Sequence, residues 1–212
     1  MSEDIIRLFE EYADRYDAWF DKRENKPLFE EEVSTLRMLR RGGLSLEVGV
    51  GSGRFACQLG IEIGIDLSRK LLMKAKERGV EVILADAHLL PFRNGSFEEV
   101  YLIFTICFLR DPASVLREVA RVLRSDGYLV IGFIPRSSPL GRLYREKGRR
   151  GHPFYRVARF YDPEEVKTLA HKAGFKLESI LSSLCGCEGL VVKGWRPNCS
   201  FCSMIFTLQR LC

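Results

Sequence analysis

A chain of 212 residues is long enough for one substantial hydrophobic core and short for two ordinary domains. Hydrophobic residues at 46% and charged residues at 29% are in the proportions of a soluble globular protein, and the net charge of +5 is mild. The start, MSEDIIRLFEEY, lacks a basic region followed by an apolar one, and the longest apolar runs, YLIFTICFL and YLVIGFI, are too short to span a bilayer. Seven scattered cysteines do not read as a disulfide framework. These features predict a cytoplasmic protein with no secretory signal and no membrane part.

Along the chain, IIRLFEEYADRYDAWF places apolar residues at three- and four-residue steps and predicts an amphipathic helix, with Phe9 and Trp19 read as ordinary core. A second helix is expected to begin near Pro27 and to end before Gly42 and Gly43. Apolar runs at 44–48, 61–65, 80–84, 98–105 and 128–134 then read as strands, with a short helix after Gly53 and helices at 69–78 and 112–124 between them. A further helix spans 162–175, with Asp162 as N-cap, Pro163 in its first turn and Gly174 as its stop. The runs KLESILSSL and GLVVKGW follow as strands. Strands alternating with helices predict an α/β fold with a mostly parallel sheet covered on both faces.

The chemistry concentrates in LEVGVGSGRFA. Gly49, Gly51 and Gly53 leave the first strand, and glycine lets a main chain approach a ligand where a Cβ would collide. In such a sheet, ligands bind at the carboxyl ends of the strands, near the point where strand order reverses. Arg54 stands where a dinucleotide fingerprint would place its third glycine, which weighs against a nicotinamide cofactor. Asp66 ends the second strand and can accept both hydroxyls of an adenosine ribose, a role common to NAD and S-adenosylmethionine. Asp86 and Ala87 end the third strand at the same edge, although an acid there is equally well a turn residue.

The ordered set LEVGVGSGRFA, GIDLS, ADAHLLPFRNGSFEEV and REVARVLRSDGYLVIG resembles the successive motifs of class I S-adenosylmethionine-dependent methyltransferases, most of all the small-molecule branch that includes the ubiquinone/menaquinone-biosynthesis enzymes. The resemblance runs from about Leu44 to Ile134, with a continuation to residue 194. It implies a Rossmann-like sheet of seven strands with a reversed last strand. It divides the chain into an N-terminal helical cap (1–43), a cofactor-binding domain (44–194) with a lid-like insertion at 135–161, and a C-terminal tail (195–212), all one structural unit. It implies S-adenosyl-L-methionine as cofactor, with Glu47 and the loop Gly49, Gly51 and Gly53 beside the methionine moiety. Asp66 would take the ribose, Leu67 pack on adenine, Asp86 and Ala87 flank it, and Phe104 and Thr105 approach the methionine side.

Methyl transfer from a sulfonium needs mainly alignment of a nucleophile, so a general base is optional. Tyr16, Tyr144, His152 and Tyr155 are the candidates for positioning or proton removal. The insertion mixes aromatic residues with Arg136, Arg142, Arg145, Lys147, Arg149, Arg150, Arg156 and Arg159 against one acid, Glu146, and is expected to fold over the site together with YADRYDAWF. A small-molecule substrate with an N, O or S nucleophile is expected, and the form a monomer or homodimer. The alternatives are an RNA methyltransferase using the basic segment, a NAD-dependent oxidoreductase, and a non-catalytic cofactor-binding module. Cys185, Cys187, Cys199 and Cys202 are read as free thiols and no metal is expected; their C-x-C and C-x-x-C spacing keeps a structural zinc, or more remotely a thiophilic substrate, as an alternative.

Overall fold

The computed structural model describes residues 3–184, 192–193 and 201–211. The five anticipated strands of the parallel half are β1 (Ser45–Val48), β2 (Ile63–Asp66), β3 (Glu81–Leu84), β4 (Phe97–Ile103) and β5 (Leu123–Phe133). The helices are α1 (Glu3–Glu11), α2 (Ala13–Asp17), α3 (Lys26–Arg37), α4 (Arg54–Leu59), α5 (Arg69–Glu77), α6 (Pro112–Val122), α7 (Pro139–Arg149) and α8 (Pro163–Lys172). Adding β6 (Phe175–Leu184), β7 (Val192–Lys193) and β8 (Phe201–Arg210), the strands form one sheet in the order β3-β2-β1-β4-β5-β8-β6-β7. The first five pair in parallel, whereas β8 runs antiparallel to both β5 and β6. Apart from the two-residue edge strand β7, this is the expected seven-stranded sheet with a reversed last strand.

Several boundaries differ from expectation, the first being the single helix expected over residues 5–20, which divides into α1 and α2. Residues 195–212, expected as a tail outside the fold, contain β8, which sits between β5 and β6. Its residues 203–208 are all buried, and the run SMIFTL has the near-continuous apolar character of a strand covered on both faces. GLVVKGW, expected as a full strand, contributes among the described residues only Val192–Lys193, paired with Ser182 and Leu181 at the edge. The helix expected over 112–124 stops at Val122, because Leu123 turns extended and pairs with Phe97 in the sheet.

Alternation along β4 divides the core. Val100 and Leu102 face a cluster with Val115 and Leu116 of α6 and Val166 of α8, while Tyr101 and Ile103 face one with Leu36 of α3, Phe55 of α4 and Leu72 of α5. A third cluster joins Leu8 and Phe9 of α1 to Leu71 of α5 and Phe154 of the insertion. No helix among the described residues is long and apolar enough to cross a membrane.

At the entry edge of β4, Glu99 is fully buried and gathers the chain leading into β1. Its Oε1 accepts from the N–H groups of Arg41 (2.8 Å) and Gly42 (2.6 Å) and from the Tyr128 hydroxyl. Its Oε2 accepts from Arg40 and the Tyr101 hydroxyl, both at 2.7 Å. Removing the carboxylate leaves the buried Tyr101 hydroxyl without its acceptor and takes the counter-charge from Arg40. Glu99→Ala is therefore expected to lower stability by about 3–5 kcal/mol, measured as the shift in urea-unfolding free energy; a loss below about 1 kcal/mol would show the network to be dispensable.

Candidate functional site

The loop after β1 turns back over β2: the N–H groups of Gly49 and Val50 both donate to the Ile65 carbonyl at 2.9 Å. Gly49 and Gly53 each have φ of 75°. A Cβ on Gly49 would lie 2.4 Å from Thr105 Cγ2, and one on Gly53 2.8 Å from Ala75 Cα, so both conformation and space demand glycine. Asp66 ties the loop to the next crossover. Its Oδ2 accepts from Gly51 N–H at 2.9 Å, and its Oδ1 from Leu67 N–H at 2.7 Å and Ser68 N–H at 2.9 Å. Burial pushes the Asp66 carboxyl above its ordinary value, partly offset by these three N–H groups. A carboxylate offers about four acceptor positions, so room for a ribose hydroxyl remains.

Gly49, Asp66, Leu67, Asp86, Ala87 and Thr105 line one slot at the carboxyl edge of β1 to β4, with a volume of about 20 Å³. That is room for about one water. Asp86 Oδ1 accepts from His88 N–H at 3.0 Å and contacts His88 Nδ1 at 2.6 Å. Glu47, 2% exposed on β1, keeps one oxygen, Oε2, buried without a partner. Burial, followed by the charge of Asp66, raises its carboxyl well above the ordinary range. An orphaned buried acceptor beside a bare loop fits a ligand bearing an ammonium. The residues present thus fit the chemistry of S-adenosylmethionine.

Phe104 has a φ of 55°, the sole non-glycine in the left-handed region among the described residues. The bend sends adjacent side chains into different spaces: Thr105 lines the slot, while Phe104 lines a neighbouring cavity. That cavity holds about 180 Å³. Its walls are mostly aromatic and come from the cap (Tyr16, Trp19, Phe20), from α4 (Phe55), from the end of β4 and from the insertion (Phe154, Phe160). All four sequence candidates, Tyr16, Tyr144, His152 and Tyr155, line it. Tyr155 stacks between Tyr144 and His152, at centroid separations of 4.1 and 4.2 Å. Tyr16 also reaches the glycine loop; its hydroxyl is 3.4 Å from where a Gly51 Cβ would stand. Phe9 is core as expected, whereas Trp19, also read as core, is partly buried and faces the cavity.

Burial raises the phenols of Tyr16, Tyr144 and Tyr155, so all three stay protonated. His152 is lowered, by burial first and then by Arg15 and Lys147, and its Nδ1 is buried without a partner. Cys107, another lining residue, has its thiol pushed up to about 12 by burial. Glu32 on α3, which sequence reasoning passed over as one acid in the run EEE, also lines the cavity and is 3% exposed.

Arg54 has a role that the sequence did not disclose. Its Nε donates to Asp17 Oδ1 at 2.8 Å and its Nη1 to Asp21 Oδ1 at 2.7 Å. Arg78 donates to Asp17 Oδ2 at 2.8 Å and to the Ser52 carbonyl at 2.7 Å. These bonds fasten the cap to the glycine loop and hold Asp17 ionised against its burial. Six of the eight cations of the insertion are likewise engaged locally. Arg136 pairs with Asp162 and Glu165, Arg149 and Arg150 pair with Glu146, Arg142 donates to Ser137, and Lys147 and Arg159 lie over the rings of Tyr144 and Tyr161. Cys185, Cys187 and Cys199, and the side chain of Cys202, lie outside the described residues.

Burial pushes the Glu32 carboxyl up to about 8, the Ser203 hydroxyl offsetting part of this and Glu31 adding to it. Unfolded, it ionises near 4.5. Between those values the folded chain binds more protons than the unfolded one, so this residue's contribution to stability falls as pH rises. Glu32→Gln removes the dependence. The stability of the variant relative to the parent is expected to increase from about pH 5 to about pH 8, read from urea melts; a flat difference would contradict the assignment.

The family described as methyltransferase domain matches residues 46–131. Uncharacterised proteins of Mycobacterium tuberculosis are 44% identical over 167 residues, 78% of this chain and 59% of theirs, so the chain spans less than two thirds of those relatives. An uncharacterised protein of Methanocaldococcus jannaschii is 38% identical over 172 residues, covering 81% of this chain and 82% of the relative. A crystal structure from Thermotoga maritima, described as a SAM-dependent methyltransferase and possible histamine N-methyltransferase, has a TM-score of 0.88 at 32% identity, covering 96% of this chain and 98% of its own. These relatives agree with the family inferred from the motifs and do not single out its ubiquinone/menaquinone branch. With the fold, the glycine loop and a relative matched over nearly its whole length in agreement, the chain belongs to the S-adenosylmethionine-dependent methyltransferases.

Proposed function

We propose that this chain transfers the methyl group of S-adenosylmethionine to a small-molecule nucleophile held in the aromatic cavity. The observation that carries this reading is the position of Tyr16, which touches the glycine loop and lines the cavity, so that the two spaces meet across one side chain. A volume of about 180 Å³ suits one compact molecule rather than a polymer, and it lies below the roughly 300–1,000 Å³ usual for drug-sized ligands. The local engagement of Arg136, Arg142, Lys147, Arg149, Arg150 and Arg159 supports a small molecule over RNA.

When bound, the cofactor supplies an activated methyl group on sulfur. The chain's own residues do the rest. Aromatic walls exclude water and align the nucleophile, a contribution on the order of 7–11 kcal/mol where alignment is good. Tyr16, Tyr144 and Tyr155, kept protonated, orient the acceptor as walls and donors. His152, neutral and with a free buried nitrogen, is the one of the four candidates suited to accept a proton. The names of relatives divide over the accepting atom: the Thermotoga protein above and a phosphatidylethanolamine N-methyltransferase of Cereibacter sphaeroides, at 29% identity over 188 residues, point to nitrogen, whereas an O-methyltransferase of Aspergillus nomiae, at 29% identity over 170 residues, points to oxygen.

S-adenosylhomocysteine, and not NAD, is expected to raise the melting temperature, since a ligand that binds the folded state stabilises it. Asp66→Ala is expected to weaken its binding by roughly tenfold to a hundredfold, the worth of a hydrogen bond to a charged group, measured by calorimetry. Unchanged affinity would remove Asp66 from the site. An acceptor screen with radiolabelled cofactor then tests turnover; binding of cofactor with no acceptor methylated would favour the non-catalytic module.

A further inference from the structure

We propose that the cavity is specific for small organic amines and that Glu32 receives the protonated nitrogen of the acceptor molecule, which passes one proton to the carboxylate to become the neutral nucleophile, an inference that rests on the cavity being the acceptor pocket. Glu32 is the one acidic side chain among the described residues lining the cavity, and no lysine or arginine among them pairs with it. Its partner is the Ser203 hydroxyl of β8. The position lies against the carboxyl end of β5, because Met204, next to Ser203, pairs with Phe133, and Ile134 lines the same cavity.

A carboxyl group held this deep with no cation among the described lining residues keeps its proton and is unfavourable for the fold alone, since a hydrophobic residue of similar size would pack there at less cost, whereas an ammonium beside it restores the carboxylate. Such a group in a cavity marks a binding function. The rest of the wall supports the same ligand. Ring faces of Trp19, Tyr16 and Phe20 carry the negative quadrupole that attracts a cation, and aromatic walls with an acid are the means by which ammonium groups are bound out of water. Arg15 and Lys22 also border the cavity, but both are exposed. Solvent and salt screen them, whereas the attraction of Glu32 acts in the low-dielectric interior.

The test is calorimetric titration of the full chain, saturated with S-adenosylhomocysteine, with 2-phenylethylamine and tryptamine and with their alcohol counterparts 2-phenylethanol and tryptophol. At least one amine is expected to bind about tenfold or more tighter than its alcohol, and Glu32→Gln to weaken that amine by about thirtyfold or more, the weight of one partner of a buried charge pair, while leaving the alcohol within about threefold. Glu32→Asp, which keeps the charge on a shorter arm, is expected to fall between. Equal binding of amine and alcohol, no binding of either amine, or an unaffected Glu32→Gln variant would each overturn the proposal. Should Glu32→Gln fail to fold, the discrimination by the parent protein decides alone. Loss of S-adenosylhomocysteine binding would instead count against the proposed function, and the amine titration repeated without it keeps the two failures apart.

Discussion

The carboxylate of Asp66 is the constraint on which the site is built. By accepting N–H groups from Gly51, Leu67 and Ser68, it fastens the glycine loop after β1 to the start of α5 after β2. Neither turn could otherwise bury these donors without loss. The slot lies between the two turns, and the bend at Gly49 brings it against Thr105 at the end of β4. A bare backbone at one wall and a carboxylate at the other follow from the same three hydrogen bonds. Movement of either crossover would be felt in the slot and in the packing of the sheet.

The cap and the insertion complete what the sheet begins. Arg54 and Arg78 hold α2 against the loop through Asp17, which places Tyr16 over Gly51. From the opposite side, Phe154 packs on Phe9 and Tyr16, so two segments far apart in sequence close one aromatic space. The left-handed backbone at Phe104 separates that space from the slot within a single residue. Strain of this kind persists where surrounding structure over-determines it. Here Phe104 N–H donates to the Gly132 carbonyl at 2.8 Å and its ring packs on Phe55.

Much of the sheet and the glycine bend was legible because it depends on short stretches of chain. The alternation of apolar runs with amphipathic stretches located β1 to β5 and α5, α6 and α8, and the glycine spacing located the bend. The capping of α8 was equally local: Asp162 N–H donates to Glu165 Oε2 at 2.7 Å, and Gly174 follows the helix with φ of 85°. The errors arose where a local signal met a distant partner. A helix drawn through Leu123 was cut short by pairing with Phe97, and a segment taken for a tail became an inner strand because β5 and β6 left a place between them. The run SMIFTL carried that information, but beyond the recognised motifs nothing nearby in sequence said what it would pair with.

The sequence by itself determined the α/β class, the place of the glycine bend and the acids beside it, because main-chain conformation and periodic burial are written in neighbouring residues. Only the tertiary structure decided the aromatic cavity. Tyr16, Tyr144, His152 and Tyr155 were candidates without a common location until the cap and insertion folded toward each other. Glu32 was one of three consecutive glutamates until packing buried it against Ser203, a residue of β8 at the other end of the chain. Arg54 read as a departure from a glycine pattern until α2 brought Asp17 and Asp21 to it. Burial, and the meeting of charges that burial makes consequential, are properties of the folded whole, since the same side chain in water would have had neither a raised affinity for its proton nor a fixed partner.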